Sequence, residues 1–161
     1  EELGNLKTSA MSTFQKVRNF IFELRPMMLD DLGLTPTLRK YTDAFKEQTG
    51  LEISLTVTGT ERRLKPYLEV MIFRAVQELL GNAARHSQST MVKVQIDVGT
   101  ELIRVSVDDN GMGFDPETLK ESSNLGLKLI RERAEMLGGK FEVDSLAGSG
   151  ARISFTVQTK I

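Results

Sequence analysis

The sequence predicts an α+β fold in which helices lie on one face of a mixed, mostly antiparallel sheet. Apolar residues recur at helical spacing in four segments and alternate with polar residues in five others. The predicted order is helix, helix, strand, helix, strand, strand, loop, helix, strand, strand. A doubly wound fold would alternate strands and helices throughout, so this order favours α+β.

Composition and charge exclude several kinds of protein. The 161 residues are enough for one domain with a short appendage, and the formal net charge is −1. We therefore expect no nucleic-acid partner and no membrane contact by this chain. Cys is absent, which excludes disulfides, thiol catalysis and thiolate metal sites. His86 is the single histidine, so any mechanism that needs a histidine must use it or borrow one from another chain.

The sequence shows no recognisable targeting signal. No segment resembles a signal peptide, and none approaches the roughly 18 apolar residues of a membrane span. We expect a cytoplasmic location, with the parent protein either soluble or membrane-anchored. Because the chain opens at Glu1 rather than Met, we expect a fragment of a longer protein.

The first segment is predicted to be a helix with a narrow apolar stripe. Its apolar residues are spaced by three or four, as in helices that pack against another helix. The stripe comprises Leu3, Leu6, Ala10, Phe14, Val17, Ile21 and Leu24. Pro26 ends this helix. We place residues 1–30 in a helical appendage and residues 31–161 in a single domain.

The next three elements have clear boundaries. The second helix is predicted to have Thr35 as its N-cap and Pro36 as its first residue, and Gly50 closes it. A half-buried strand follows at 51–57. A long helix then extends from Pro66 to about residue 86.

The second half of the domain is predicted to contain two hairpins around one helix. Strands at 92–98 and 102–107 form the first hairpin, and residues 109–125 form a loop. An amphipathic helix then covers 127–137. The final hairpin covers 141–157, and its turn is at 147–150.

Polar side chains share one face near the end of the long helix. Glu78, Asn82 and His86 are four residues apart, so a carboxylate, an amide and an imidazole stack on one face, with Arg85 beside them. A solvated helix face with a basic end is one interpretation. The apolar residues beside them favour a polar stripe at the edge of a cavity.

Three glycine-bearing segments follow the long helix. Asp109-x-Gly111-x-Gly113 comes directly after a strand, where the backbone can approach a ligand and an acid can accept from an amino group; an ordinary turn is the alternative. Residues 122–127 open a helix and present free N–H groups to an anion, although capping by Ser123 or Asn124 also explains them. Residues 148–151 are typical of a hairpin turn.

The order of these motifs resembles the N, G1, G2 and G3 boxes of the GHKL superfamily, whose ATP-binding domain has the Bergerat fold. The motifs are Gln77-Glu78-x3-Asn82-x2-Arg85-His86, Asp109-x-Gly111-x-Gly113, Leu125-Gly126-Leu127 and Gly148-x-Gly150. The resemblance covers about residues 34–161. It implies a two-layer sandwich preceded by one long helix.

Two further segments resemble the histidine kinases that serve LuxR/NarL-type response regulators. They are Glu23-Leu24-Arg25-Pro26 with Leu29-x-x-Leu32-Gly33-Leu34, and Leu129-Ile130-Arg131-Glu132-Arg133-Ala134. In that subgroup the helix before the Arg-Pro pair is the second helix of the dimerisation and phosphotransfer bundle. Residues 1–30 are therefore expected to be the C-terminal part of that helix.

The resemblance implies a role for each matching position. Asn82 is expected to coordinate Mg²⁺ that bridges the phosphates of ATP, and Glu78 to orient water or act as base. Asp109 is expected to accept a hydrogen bond from the adenine amino group. The other expected nucleotide-binding residues are Arg85, His86, Gly111, Gly113, Asn124, Leu125, Gly126, Leu127, Gly150 and Ala151. The implied cofactors are ATP and Mg²⁺.

The implied function is the Mg-ATP-binding catalytic domain of a two-component sensor histidine kinase. Such a domain donates the γ-phosphoryl group to a histidine that we expect before Glu1, so this chain alone is not expected to phosphorylate itself. The expected partners are the histidine-bearing helix of its own full-length kinase, in a homodimer, and indirectly a LuxR/NarL-type response regulator.

Two departures from the family pattern bear on nucleotide affinity more than on fold, and two alternatives to the kinase domain stay open. Asn124 stands where the family has glycine, and Ala151 stands where it has threonine. One alternative is a self-contained GHKL ATPase in which Glu78 activates water. The other is a non-catalytic, pseudokinase-like module for dimerisation or binding.

Overall fold

The computed structural model describes residues 27–117 and 124–160, and the predicted helix over 3–24 lies outside them. In chain order the elements are α1 (Met27–Leu32), α2 (Leu34–Thr49), β1 (Glu52–Gly59), α3 (Pro66–His86), β2 (Met91–Val98), β3 (Leu102–Asp109), α4 (Leu125–Met136), β4 (Phe141–Ser145) and β5 (Ala151–Gln158). This confirms the predicted order within those ranges and adds the short α1. No helix in the described ranges combines the length and the apolar character that crossing a membrane requires.

The five strands form one mixed sheet in the order β1-β2-β3-β5-β4. β1 and β2 are parallel and are connected through α3, whereas the other neighbouring pairs are antiparallel. Along β2 exposed and buried residues alternate strictly, so one face of the sheet is covered and the other is solvated. The predicted α+β arrangement is confirmed.

The long helix α3 supplies the centre of the core. It begins at Pro66 and ends at His86, as predicted. Ile72 and Val76 are fully buried, and they belong to the same apolar cluster as the strand residues Val94 and Phe155. Burying one such side chain contributes roughly 1.5–3 kcal/mol. This burial fixes the helix against the sheet and thereby sets the direction of its polar face.

The predicted N-cap of α2 is wrong. The N-cap is Gly33 rather than Thr35, and its φ of 83° lies in the region that favours glycine. No side chain caps this end; the Thr37 hydroxyl instead donates to the Gly33 carbonyl at 2.7 Å. Pro36 is tolerated because the N–H groups of the first turn have no acceptor within the helix. The predicted C-cap at Gly50 is confirmed, with φ of 74°.

A buried carboxylate joins α1 to the start of α3. Glu69 is 2% exposed. Its two oxygens accept from Arg63 Nε at 3.1 Å and Arg63 Nη2 at 3.2 Å, and the Leu64 amide donates to Glu69 Oε1 at 3.1 Å. Arg63 Nη2 also donates to the carbonyls of Leu29 at 3.3 Å and Asp30 at 3.0 Å. The Arg63–Glu69 pair therefore connects the end of α1 to the helix that carries the polar face.

Candidate functional site

A small cavity of about 220 Å³ opens between the end of α3, the end of β3, the start of α4 and the start of β5. Most of its wall is apolar and a few polar groups converge on it, as is usual for small-molecule sites. It is lined by Leu79, Asn82, Ala83, His86, Ser87, Val107, Asp109, Gly113, Phe114, Asn124, Leu127, Ala151 and Ile153. The structure thus brings together residues from all four predicted motifs.

Asp109 supplies the carboxylate of the small cavity. It is the last residue of β3, and its Oδ1 accepts from the Gly111 amide at 2.8 Å. Burial raises the pKa of Asp109 above its ordinary value, while hydrogen bonds from Gly111 and Ser87 oppose that shift. Each carboxylate oxygen has more than one lone pair, so a half-buried carboxylate can still take a hydrogen bond from an amino group of a ligand.

The glycines near Asp109 allow backbone segments to pack closely. A β-carbon at Gly113 would overlap the Leu146 carbonyl oxygen and lie 2.7 Å from the Gly150 carbonyl oxygen, and the φ of Gly113 is +61°. A β-carbon at Gly111 would lie 2.7 Å from Ser87 Oγ. Of the predicted glycines, only Gly113 lines the small cavity, whereas Gly111 and Gly150 lie behind its wall.

The polar face of α3 divides between two cavities. Asn82 and His86 line the small cavity, whereas Glu78 and Arg85 line a larger cavity of about 790 Å³ between α2, α3 and α4. Arg85 lies between the two groups. Its Nη2 donates to Asn82 Oδ1 at 3.1 Å and is 3.9 Å from Glu78 Oε1. The predicted polar stripe at a cavity edge is present, but its residues serve two neighbouring cavities.

The first turn of α4 contacts both cavities. Asn124 is the N-cap, and its side chain accepts from the Leu127 amide at 3.4 Å, so the capping interpretation is confirmed. Leu127 lines the small cavity, and Gly126 lines the large one. Leu125 is 64% exposed and lines neither cavity, so the structure does not place this predicted residue in the site.

Several residues that line the small cavity were not predicted from the sequence. Ser87 follows the long helix directly, and its carbonyl accepts from the Met112 amide at 2.7 Å, which ties the glycine loop to the helix end. Phe114 follows Gly113, and an aromatic residue in a glycine-rich loop was a usable signal. Ile153 belongs to the alternation of β5, and nothing local marks it as a site residue.

The residues present fit a magnesium ion that is shared with a ligand. In the described ranges no group of three or more His, Cys, Asp or Glu residues could hold a metal by itself. Magnesium commonly takes one or two protein oxygens and completes its shell with water and substrate phosphates. The amide oxygen of Asn82 and the carboxylate of Glu78 are oxygen donors of that kind.

Comparison with known families gives the class of this protein. The profile described as "Histidine kinase-, DNA gyrase B-, and HSP90-like ATPase" matches residues 68–161, which begin in α3 and include the walls of the small cavity. The chain therefore belongs to this ATPase family. Membership implies ATP as the ligand class.

Three similar curated proteins carry the name of histidine kinases. The signal transduction histidine-protein kinase/phosphatase DegS of Brevibacillus brevis is 36% identical over 98% of the chain, and DegS of Bacillus subtilis (strain 168) is 38% identical over 98%. An uncharacterized sensor-like histidine kinase of Chloroflexus aurantiacus is 34% identical over 97%. The chain spans less than half of each relative, namely 40%, 42% and 27% of their lengths.

Solved structures show the same fold. The histidine kinase domain of the Erythrobacter litoralis EL346 blue-light activated histidine kinase aligns with a TM-score of 0.62 and 23% identity, covering 78% of this chain and 61% of that one. Another structure of that kinase aligns with a TM-score of 0.68 and 22% identity, covering 92% and 50%. The predicted fold, a Bergerat domain, is confirmed.

Proposed function

We propose that this chain is the Mg-ATP-binding catalytic domain of a two-component sensor histidine kinase, preceded by part of its dimerisation helix at residues 1–30. The main support is one arrangement in the structure. A half-buried carboxylate closes the small cavity, and a polar helix face leads from it to a cavity lined by Arg85 and the first turn of α4. This arrangement suits a ligand with an amino-bearing base at one end and phosphates at the other.

The small cavity is proposed to hold the adenine base. The carboxylate of Asp109 accepts from the exocyclic amino group, and Leu79 and Ile153 offer apolar surface to the ring. Gly113 keeps the loop wall thin, with Gly111 and Gly150 allowing the packing behind it. Ala151 lies opposite Asp109 in the sheet, and its methyl group contributes apolar surface where the family has a hydroxyl.

The phosphates are proposed to lie along α3 and against the first turn of α4. Asn82 is the proposed magnesium ligand, and Glu78 orients a water or acts as base. Arg85 and His86 supply the polar contacts to phosphate or ribose. The N-terminal turn of α4 at Asn124 and Gly126 favours negative charge through its free N–H groups. Leu127 anchors this turn through burial, and Leu125 faces away from both cavities.

The proposed phosphoryl acceptor is a histidine other than His86. His86 lines the same cavity as Asp109, so it lies beside the proposed base rather than beyond the γ-phosphate. Phosphoryl transfer requires the acceptor to approach in line with the leaving oxygen. We place the acceptor on a helix of the full-length kinase, in a homodimer, with a LuxR/NarL-type response regulator as the indirect partner.

Calorimetry with ATP and ADP in the presence of Mg²⁺ tests the nucleotide site. We expect binding by the unmutated chain and near-complete loss in Asp109→Asn, which replaces an acceptor oxygen by a donor. Asp108→Asn is the matched control, because the neighbouring carboxylate pairs with Arg152. Absence of binding by the unmutated chain contradicts the proposal and favours the non-catalytic module.

Phosphate release distinguishes the kinase domain from a self-contained ATPase. With ATP and Mg²⁺ alone, we expect the chain to show neither steady-state hydrolysis nor phosphohistidine. Sustained turnover that is lost in Glu78→Ala would instead establish the ATPase alternative, because it would assign water activation to that carboxylate.

A further inference from the structure

In this structure the Arg85 guanidinium lies beside Asn82 and Glu78, the two residues proposed to serve Mg²⁺. Its Nη2 donates to Asn82 Oδ1 at 3.1 Å and lies 3.9 Å from Glu78 Oε1. An amide oxygen and a carboxylate are the kinds of ligand that magnesium prefers. The guanidinium occupies the Asn82 oxygen through a hydrogen bond and partly offsets the charge of Glu78.

Two glycines make room for this arrangement. A β-carbon at Gly81 would lie 2.8 Å from Arg85 Nη1 and 3.3 Å from Arg85 Nη2, so the absence of a side chain lets Arg85 fold back over α3. A β-carbon at Gly126 would overlap Glu78 Oε1. Glycine in a helix interior disfavours the helix relative to alanine. The room that Gly81 leaves for the Arg85 guanidinium accounts for a glycine in the interior of α3.

The side chains in this cluster mimic parts of the proposed ligand. The Glu78 carboxylate lies against the first turn of α4, where a helix N-terminus favours an anion such as phosphate. Arg85 holds the amide oxygen of Asn82. The Asn82 amide nitrogen is buried, and within the described residues it has no hydrogen-bond partner. Arg85 therefore supplies the hydrogen bond that the Asn82 side chain accepts in this cluster.

We propose that Arg85 is a positioning residue that blocks the metal-ligating oxygen of Asn82 until nucleotide binds. This inference rests on the proposed function. A divalent cation alone has to displace the guanidinium and is repelled by its charge. Phosphates attract Arg85 away from Asn82 and at the same time supply the remaining metal ligands. Metal and nucleotide consequently bind together rather than separately.

Paramagnetic broadening by Mn²⁺ measures metal binding without nucleotide. Increasing Mn²⁺ broadens the NMR signals of residues around Asn82, and the concentration at half-broadening reports affinity. We expect Arg85→Ala to lower that concentration about tenfold relative to the unmutated chain. Arg133→Ala is the matched control, because Arg133 lines the same large cavity and carries the same charge, whereas the hydrogen bond to Asn82 Oδ1 comes from Arg85. If both variants gain the same affinity for Mn²⁺, the gain comes from the lost positive charge in general and not from freeing Asn82. That result would overturn the proposal.

Gly81→Ala tests the same idea without removing a charge. The three atoms nearest to the added methyl group belong to the flexible end of Arg85, and alanine favours the helix, so the variant is expected to fold. We expect it to displace the guanidinium and to bind Mn²⁺ more tightly, as Arg85→Ala does. If neither variant differs from the unmutated chain, the proposal is wrong even where calorimetry shows Mg-ATP binding. If Mg-ATP binding is itself absent, the proposed function fails, whatever the Mn²⁺ titration shows.

Discussion

Asp109 combines a charge that binding requires with surroundings that disfavour it. Its position at the end of β3 removes water from the carboxylate, and this raises its pKa. Hydrogen bonds from the Gly111 amide and the Ser87 side chain stabilise the charged carboxylate and so oppose part of this rise in pKa. Groups with such shifts cluster at functional sites, where a ligand that supplies a donor can offset the remaining cost of the charge.

We expect Asp109→Asn to stabilise the nucleotide-free protein at neutral pH. Because the pKa is raised in the folded state, the folded protein binds the proton more tightly than the unfolded chain does. The carboxylate therefore lowers the free energy of unfolding above the raised pKa, and this cost disappears as the pH falls below the ordinary value near 3.8. Thermal unfolding should show a higher Tm for the variant at pH 7 and a shrinking difference toward pH 4. An equal difference at every pH would contradict this account.

We expect Gly113→Ala to damage the fold more than Gly148→Ala. Both glycines have positive φ, of +61° and +85°, so both substitutions cost about 1–2 kcal/mol in backbone strain. Only Gly113 also faces neighbouring backbone, while nothing lies within 4 Å of a β-carbon at Gly148. Urea titration should therefore show the larger loss for Gly113→Ala, together with weaker ADP binding. Equal losses of unfolding free energy in the two variants would mean that the close approach of backbone at Gly113 does not add to the cost of the substitution.

At the scale of elements, α3 connects the site to the rest of the chain. Its C-terminal half carries Asn82 and His86, and its first turn carries Glu69. Through Arg63, Glu69 reaches the carbonyls at the end of α1. A change in the position of α1 is therefore transmitted to the start of α3, the helix that carries the polar face.

We expect Arg63→Ala to lower the free energy of unfolding by about 3 kcal/mol, because it leaves a nearly buried carboxylate without its cation. Lys46→Ala is the matched control. Its pair with Glu52 has a similar separation of 2.7 Å but is well exposed, so its loss should cost less than about 1 kcal/mol. Urea unfolding monitored by circular dichroism measures both. Similar effects in the two variants would show that burial of Glu69 does not set the cost.

At the scale of the whole molecule, the sheet and helices bring distant segments to one place. Asp109 at the end of β3 lies opposite Ala151 at the start of β5, although 42 residues separate them. The helix segments at residues 82–86 and 124–127 close the other sides. The proposed site therefore exists only in the folded chain, and ligand binding must stabilise the fold by mass action.

We expect Mg-ADP at about 100 times its Kd to add about 2.7 kcal/mol to the free energy of unfolding. For a chain of this length that corresponds to roughly 5–10 °C in Tm. Differential scanning fluorimetry measures the shift, and Asp109→Asn should abolish it. A shift that persists in this variant would show that ADP binds elsewhere.

Much of the fold and part of the site could be predicted from the sequence. The long helix from Pro66 to His86 was predictable because its signals are local, namely a proline at the start and apolar periodicity. The N-cap of α2 was not, because Thr35 has the better capping side chain, and Gly33 prevails through a backbone conformation set by its surroundings. The place of Ser87 in the site could not be predicted from its neighbours in the sequence, because it contacts Met112, which is distant along the chain.

The sequence by itself determined the order of elements, the family and the motif residues, because periodicity, capping and motif spacing are written along the chain. Folding decided how the polar face of α3 divides between two cavities, and which residues of α2 and α4 line the larger one beside it. The physical reason is packing. The direction of each side chain depends on which segments approach it, and Glu78 meets Gly126 only when α3 and α4 are packed together.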